Sequence, residues 1–506
     1  MRDDCGMTAG KRARLAFGLL SILGIGSCDA MWEKSLIANP KNCAIAPAVC
    51  SYSEECDYST ERCVPLPPPS CPPITFDSIL PFYGSRAGGE KLTLTGSQFQ
   101  GQMRVEIDGT QVTDLAIQTP NQLTAVLGAS NYSCGPSAVS VISTCFERVT
   151  QEKAFYYTLD PLEFDSKPQV LPSPPGVQVL QILSADFNAD GDPDIVGIEP
   201  AAIRYFLSDG NGSFVTAPAT AISGSLVWAA SGDFNGDQAT DLVVADQAAA
   251  RLWVLLNDGK GAFTASSVAV AETLRAVASH DFSGDGKSDV IAVGVSGALY
   301  LLSGSSTGVS SPIGVGVGAP PSSIGASLAD LNGDQQPELV VAGGSTVEAW
   351  QKTGSQTFTR LAQVAAPAIV TAAAGGDVDG DGKADVVVGL SGQANVAVFA
   401  ANGSGGFGAA KLVPSATRPR QVQLADLNCD GRLDILVSSQ ADNKLGVILT
   451  QANGGYAAAQ LVDFSAYQAG IAQSVLAQDV DFDGTFDLIV GSTQTPAYLL
   501  SVNVSP

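Results

Sequence analysis

Seven times between Asp186 and Asp487 the chain repeats one nine-residue acidic pattern, with Asp at position 1, a polar or acidic residue at 3, Asp at 5 and Asp or Glu at 9. The copies begin at Asp186, Asp233, Asp281, Asp330, Asp377, Asp426 and Asp479, spaced 47, 48, 49, 47, 49 and 53 residues apart. A unit that recurs about every fifty residues is one supersecondary element that cannot bury its apolar face alone, so the copies must close into a ring or stack as an array. Each unit brings one short acidic loop.

The loops are followed by short apolar runs, such as Leu242-Val243-Val244, Val386-Val387-Val388 and Leu488-Ile489-Val490. Runs this short and this rich in β-branched residues read as strands buried on both faces. Another strand and a Gly-rich turn come about fifteen residues later, clearest as Asn257-Asp258-Gly259-Lys260-Gly261-Ala262-Phe263. These features resemble the FG-GAP/VCBS repeat, the blade of integrin α-subunit propellers, over roughly Leu162 to the end, about two thirds of the chain. The resemblance implies an all-β fold, a seven-bladed β-propeller over residues 161–506. Phase predicts its closure. The last repeat stops after Tyr498-Leu499-Leu500, one strand short, and the segment from Leu162 to Val170 matches the missing strand, forming a latch that removes free sheet edges.

The loops predict hard-cation sites. Calcium takes six to eight oxygens, and carboxylates at positions 1, 3, 5 and 9 with a backbone carbonyl at 7 supply them from one turn. The ligand set is Asp186, Asn188, Asp190, Asp192 and Asp194 in the first loop; Asp233, Asn235, Asp237 and Asp241 in the second; and Asp281, Ser283, Asp285 and Asp289 in the third. It continues with Asp330, Asn332, Asp334 and Glu338; Asp377, Asp379, Asp381 and Asp385; Asp426, Asn428, Asp430 and Asp434; and Asp479, Asp481, Asp483 and Asp487. Gly191, Gly286, Gly382, Gly431 and Gly484 at position 6 permit the positive φ that bends the chain around an ion. Loops two and four carry Gln238 and Gln335 there and are expected to be the weaker sites, giving up to seven Ca2+ with five stronger. Loops five and seven, with Asp at position 3, should bind tightest. Extracellular modules of this kind bind at roughly 0.1–1 mM. A lone Asp-Gly is more often a hairpin turn, but seven copies in register are not.

Those loops hold 24 of the 50 acids, so much of the formal charge of -24 has a location, and one divalent ion per loop would offset more than half of it. The charge excludes nucleic acid as an expected partner. With His280 the only histidine, most mechanisms built on a His base or a cluster of His zinc ligands are removed, while carboxylate chemistry stays open.

Toward the N-terminus, Lys11, Arg12 and Arg14 precede an apolar run from Leu15 to Ile25 and then Gly26-Ser27-Cys28. This reads as a secretory signal over residues 1–27, too short to span a membrane. Its end resembles the lipobox of bacterial lipoproteins, which implies Cys28 as a lipid anchor; a plain signal peptide with an incidental Cys is the alternative. The expected location is extracytoplasmic, on a bacterial outer membrane or cell surface. Residues 28–72 form a tether with Cys43, Cys50, Cys56 and Cys63, read as two disulfides of open pairing, since the spacing fits zinc poorly, and then a Pro-rich spacer. Residues 73–160 alternate strand and turn, with Pro81, Gly84, Gly88-Gly89, Leu92-Thr93-Leu94-Thr95-Gly96 and Phe99. That text resembles the IPT/TIG immunoglobulin-like sandwich. Cys134 and Cys145 would bond across a hairpin, leaving Cys71 and Cys429 without evident partners.

The expected function is a non-enzymatic, membrane-tethered binding or adhesion module, acting as a monomer on a surface protein or glycan. The alternative is a propeller-borne hydrolase or lyase acting on polysaccharide. Integrin-like blades meet partners on the face away from the metal loops, which here offers Arg251, Arg418, Arg420 and Lys444, residues that could equally be ordinary solvated charges.

Overall fold

The structure, a computed structural model, describes residues 54–57, 62–65 and 73–501, except 87, 131–134, 144–146, 160–161, 163, 165–167, 175–176, 321–322, 440, 442, 452, 467–470 and 495–497. The segment 1–27 read as a signal, together with Cys28, Cys43, Cys50, Cys71, Cys134 and Cys145, lies outside the described residues. In the tether, Glu54–Asp57 and Arg62–Pro65 form a two-stranded hairpin whose register sets Cys56 opposite Cys63. Among the described residues no helix is long and apolar enough to cross a membrane.

Alternation of apolar and polar residues builds the sandwich. Lys91–Ser97 buries Leu92 and Leu94 and turns Thr93 and Thr95 outward, as a strand with one covered face must. It lies between Thr75–Leu80 and Gln122–Val126 in a four-stranded sheet edged by Thr113–Thr119. The facing sheet runs Tyr83–Ser85, Arg148–Thr158, Gly135–Ile142, Arg104–Ile107 and Thr110–Gln111. Phe76, Leu94, Ile107, Val141, Phe155 and Tyr157 fill the space between the two sheets.

Seven four-stranded sheets follow among the described residues. Blade one, for example, consists of Gln181–Ala185, Asp194–Glu199, Ala202–Ser208 and Phe214–Ala221, paired antiparallel in that order. The run after each acidic loop is the second strand, and in every sheet all six of its residues are buried. First strands of successive sheets pack side by side around the axis, and the first sheet meets the seventh. There the amide of Ile182 donates to Ser474 Oγ at 3.0 Å and that of Val179 to the carbonyl of Ser492 at 2.9 Å. Close approach near the axis is why these strands carry Gly and Ala: a Cβ on Gly375 would lie 2.5 Å from the Ala329 side chain.

The seventh sheet is composite. Its outer strand is Gln169–Leu171, antiparallel to Tyr498–Ser501 with Val170 opposite Leu499: a latch as the phase of the repeat predicts, but confined to the end of the expected 162–170 segment and one residue beyond it. Tyr498 then reaches into blade one, donating its hydroxyl to Glu199 Oε1 at 3.0 Å, and Glu199 accepts Arg204 Nε at 2.6 Å. Gly197 leaves room for that ring, since a Cβ there would overlap the Tyr498 side chain.

Candidate metal centres

Every acidic loop joins the first and second strands of its sheet, so antiparallel pairing sets all of them at one end of the ring. Their hydrogen bonds repeat almost atom for atom. The position 1 carboxylate accepts the position 6 amide in all seven, at 2.8–3.0 Å. The position 5 carboxylate accepts the position 7 amide, at 2.7–3.0 Å. Position 3 accepts the position 5 amide through Asn188, Asn235, Asn332, Asp379, Asn428 and Asp481. Ser283 departs from this and donates to Asp281 Oδ1 at 3.3 Å. Position 2 is a buried apolar plug: Phe187, Phe234, Phe282, Leu331, Val378, Leu427 or Val480.

Position 6 takes positive φ whether or not it is glycine. Gly382 has φ 84°, and Gln238 and Gln335 adopt 70° and 67°. Loops two and four therefore share the common bend, at a backbone cost of about 1 kcal/mol each.

Position 9 does more than its place in a ligand set implies. Asp194, Asp241, Asp289, Glu338, Asp385, Asp434 and Asp487 are at most 1% exposed. Asp385 accepts the amides of Val378 at 3.2 Å and Ala401 at 2.9 Å, tying the loop to the end of the third strand. Asp194 does the same with Phe187 and Ser208, Asp241 with Phe234 and Asn257, and Asp434 with Leu427 and Thr450. A carboxylate oxygen keeps a second lone pair after one such bond, so this role leaves it able to ligate. Burial, reinforced by the neighbouring loop carboxylates, pushes Asp194, Asp241 and Asp385 up to about 6, and Asp434 well above its ordinary range. In the first loop, desolvation and then Asp190, Asp186 and Asp209 also raise Asp192.

Carboxylate oxygens from Asp377, Asp379 and Asp385 lie within 4.8 Å of one another, as do those from Asp479, Asp481 and Asp483. These are the two loops with Asp at position 3. Asp479 Oδ1 is buried with no hydrogen-bond partner, an orphaned oxygen facing a cluster of like charge. An all-oxygen donor set with an unpartnered carboxylate oxygen fits a hard divalent cation.

The sixth loop is set apart by what covers it. Asn428 and Asp430 are buried, and the Leu159 amide of the sandwich donates to the Asn428 carbonyl at 2.8 Å. Arg432 bonds Asp430 Oδ2 and lies over the Tyr83 ring. Lys383 and Lys287 hold Asp381 and Asp285 in the same way, at 2.7 and 3.4 Å. Cys429, which the sequence leaves without an evident partner, is disulfide-bonded. Sequence separation hides such a pairing, because only the fold determines which distant cysteine lies close by.

On the opposite end of the ring, the four partner candidates divide. Arg251 is structural: it bonds the buried Asp246 at 2.8 Å and covers Trp253 at 4.5 Å. Lys444 pairs loosely with Asp463 at 3.5 Å. Arg418 is exposed, with φ 53°. Of the four, Arg420 lines a cavity whose wall also includes Arg275, a residue with no repeat signal to mark it.

A ring of four-stranded sheets, each opening on an acidic loop at one face, defines a β-propeller, here preceded by an immunoglobulin-like sandwich. Residues 186–244, 233–292, 281–341, 330–388 and 377–437 match the FG-GAP-like repeat, and residues 74–157 match the IPT/TIG domain. The chain is thus an FG-GAP-like repeat protein with an IPT/TIG domain; the loop at Asp479 lies beyond the five matched repeats. These domain types suggest a module of binding or adhesion.

No curated protein is significantly similar to the sequence. Among solved structures, an Agrocybe aegerita lectin that recognises non-reducing terminal N-acetylglucosamine is 19% identical, with TM-score 0.45, over 64% of this chain and 94% of its own. A BBS1N chain crystallised with ARL6DN is 12% identical, with TM-score 0.47, over 68% and 97%. An auxiliary nutrient binding protein from Bacteroides ovatus is 12% identical, with TM-score 0.36, over 87% and 100%. Likeness of this degree carries no function across.

Proposed function

We propose that the chain is a calcium-stiffened, lipid-anchored extracytoplasmic module that works by binding a surface protein or glycan rather than by catalysis. The observation that carries the calcium reading is the convergence of Asp377, Asp379 and Asp385, and of Asp479, Asp481 and Asp483, within loops whose backbone is hydrogen-bonded alike seven times. Bound calcium would supply positive charge and coordinate these oxygens. The chain's own residues hold the loop shape, exclude water beneath position 2 and tie the loop to the third strand through position 9. Cys28 would hold the protein to a bacterial membrane, and the face away from the loops would meet the partner as a monomer.

The test is the melting temperature of the purified chain from Cys28 onward, in calcium and in excess chelator, with bound ions counted by elemental analysis. A large calcium-dependent rise with several ions per chain supports the reading; no shift and no ions return the loops to plain turns. Replacing Cys28 with Ser should release the protein from membranes, and retention would remove the anchor.

A further inference from the structure

The central cavity on the face away from the acidic loops carries a chemistry opposite to the rest of the chain. It has a volume of about 460 Å3, and its walls include Gln178, Trp228, Arg275, Arg420, Gln421 and Gln473. The size falls within the roughly 300–1,000 Å3 usual for small-molecule sites. Arg275 is the second residue of the first strand of blade three (Leu274–His280), and Arg420 is the second residue of the first strand of blade six (Pro419–Ala425). The two residues come from sheets three apart in a ring of seven, and both line the cavity, Arg275 at an exposed position and Arg420 at a half-buried one.

Neither arginine has an ion pair or hydrogen bond among the described residues, whereas Arg104, Arg148, Arg204, Arg251, Arg360 and Arg432 each sit on a carboxylate. Among the described residues no Asp or Glu lines the cavity, in a chain with 50 acids and 26 Lys and Arg. Burial holds the Arg420 guanidinium below its ordinary range with no opposing charge to offset it. A half-buried cation left unpaired in so acidic a molecule is a cost that an arriving anion removes.

The remaining wall narrows the class of anion. Gln178 donates to Gln473 Oε1 at 3.3 Å, and the Gln421 side-chain oxygen accepts the Val475 amide at 3.1 Å, so these amides are fixed in place with capacity left for hydroxyl groups. Trp228 is partly buried and gives the wall an aromatic surface. Two guanidinium groups, fixed amides and one indole suit a ligand with a carboxylate, several hydroxyls and an apolar ring face.

We propose that this cavity binds a carboxylated saccharide, with Arg275 and Arg420 holding the carboxylate. The proposal rests on the reading of the chain as a binding module and names the chemistry of its ligand.

Calorimetric titration of the calcium-loaded chain with a glucuronate-terminated disaccharide, its methyl ester and a short poly-glutamate peptide tests it. The acid should bind; the ester, and the acid with Arg420→Gln or Arg275→Gln, should bind about ten- to hundredfold more weakly. Lys260→Gln, on an exposed turn at the loop end of the ring, should change nothing. Equal binding of acid and ester, unchanged binding by both cavity variants, or no binding of the disaccharide would overturn the proposal. Tighter binding of the peptide would also overturn it, in favour of an acidic protein partner. Melting of each variant with and without calcium separates the outcomes: failure to bind with calcium-dependent melting intact sinks only the saccharide site, while loss of calcium dependence in the parent chain sinks the underlying reading.

Discussion

The backbone amide of Leu159 donates to the carbonyl of Asn428 at 2.8 Å, joining the last strand of the sandwich to the third residue of the sixth acidic loop. The Leu159 side chain belongs to the core shared by blades six and seven, with Leu427, Leu436 and Leu488. One loop therefore serves as a candidate ion site and as the joint between two domains. Removal of calcium should loosen both together. In hydrogen exchange, the Leu159 amide should become labile in chelator along with the Asp426 loop; protection unchanged at Leu159 while the loop opens would separate the two roles.

Positions 3 and 9 should fail differently. Asp385→Asn sets an amide group against two backbone donors in a buried site and should cost about 1–3 kcal/mol with or without calcium. Asp379→Asn, at a half-buried position, should leave melting in chelator unchanged and weaken calcium binding at that loop alone. Denaturant titration of both variants, each with and without the ion, measures the difference.

Acidity should act on the calcium-free chain in an unusual direction. Asp194, Asp241, Asp385 and Asp426 stand at about 6 when folded against an ordinary 3.8, mainly through desolvation by burial. Between those values the folded chain holds more protons than the unfolded one, so these groups withdraw stability as pH rises through the window. Asp285 and Asp381, held low first by their bonds to Lys287 and Lys383, act below it and in the opposite sense. In chelator the melting temperature should be higher at about pH 5 than at about pH 7.5, with calcium giving its greatest gain at the higher pH.

Closure of the ring should depend on one glycine. Gly197→Ala places a methyl where the Tyr498 ring lies and should cost about 1–3 kcal/mol. Tyr498→Phe, which strips one hydroxyl from the buried Glu199 and leaves Arg204 bonded to it, should cost less, about 1 kcal/mol. Equal stability of Gly197→Ala and the parent in urea would show that the ring yields there.

Much of this architecture was legible because it is periodic. Acidic loops and apolar second strands recur at fixed offsets, so the existence of a latch followed from counting, though its strand lies at the far end of the expected 162–170 segment. What escaped was aperiodic and lay between sheets. Arg275 and Arg420 line one cavity only because blades three and six face one axis, and Glu199 finds Tyr498 only once the chain has closed. The backbone bonds of Asp385 were hidden for another reason: a ligand and a backbone acceptor require the same residue at the same place. Gln238 and Gln335 looked like defects, yet the other loop bonds hold them in the bend that glycine adopts freely.

The strand Gln169–Leu171 gives the molecule a mechanical property. Pull applied through the sandwich meets the Leu159–Asn428 bond and the packing of Leu159 and Leu162 on blade six before it meets the three paired residues of the latch. The sixth loop thus works as a strain relief, and ions that stiffen it would decide how much tension the ring withstands before it unzips.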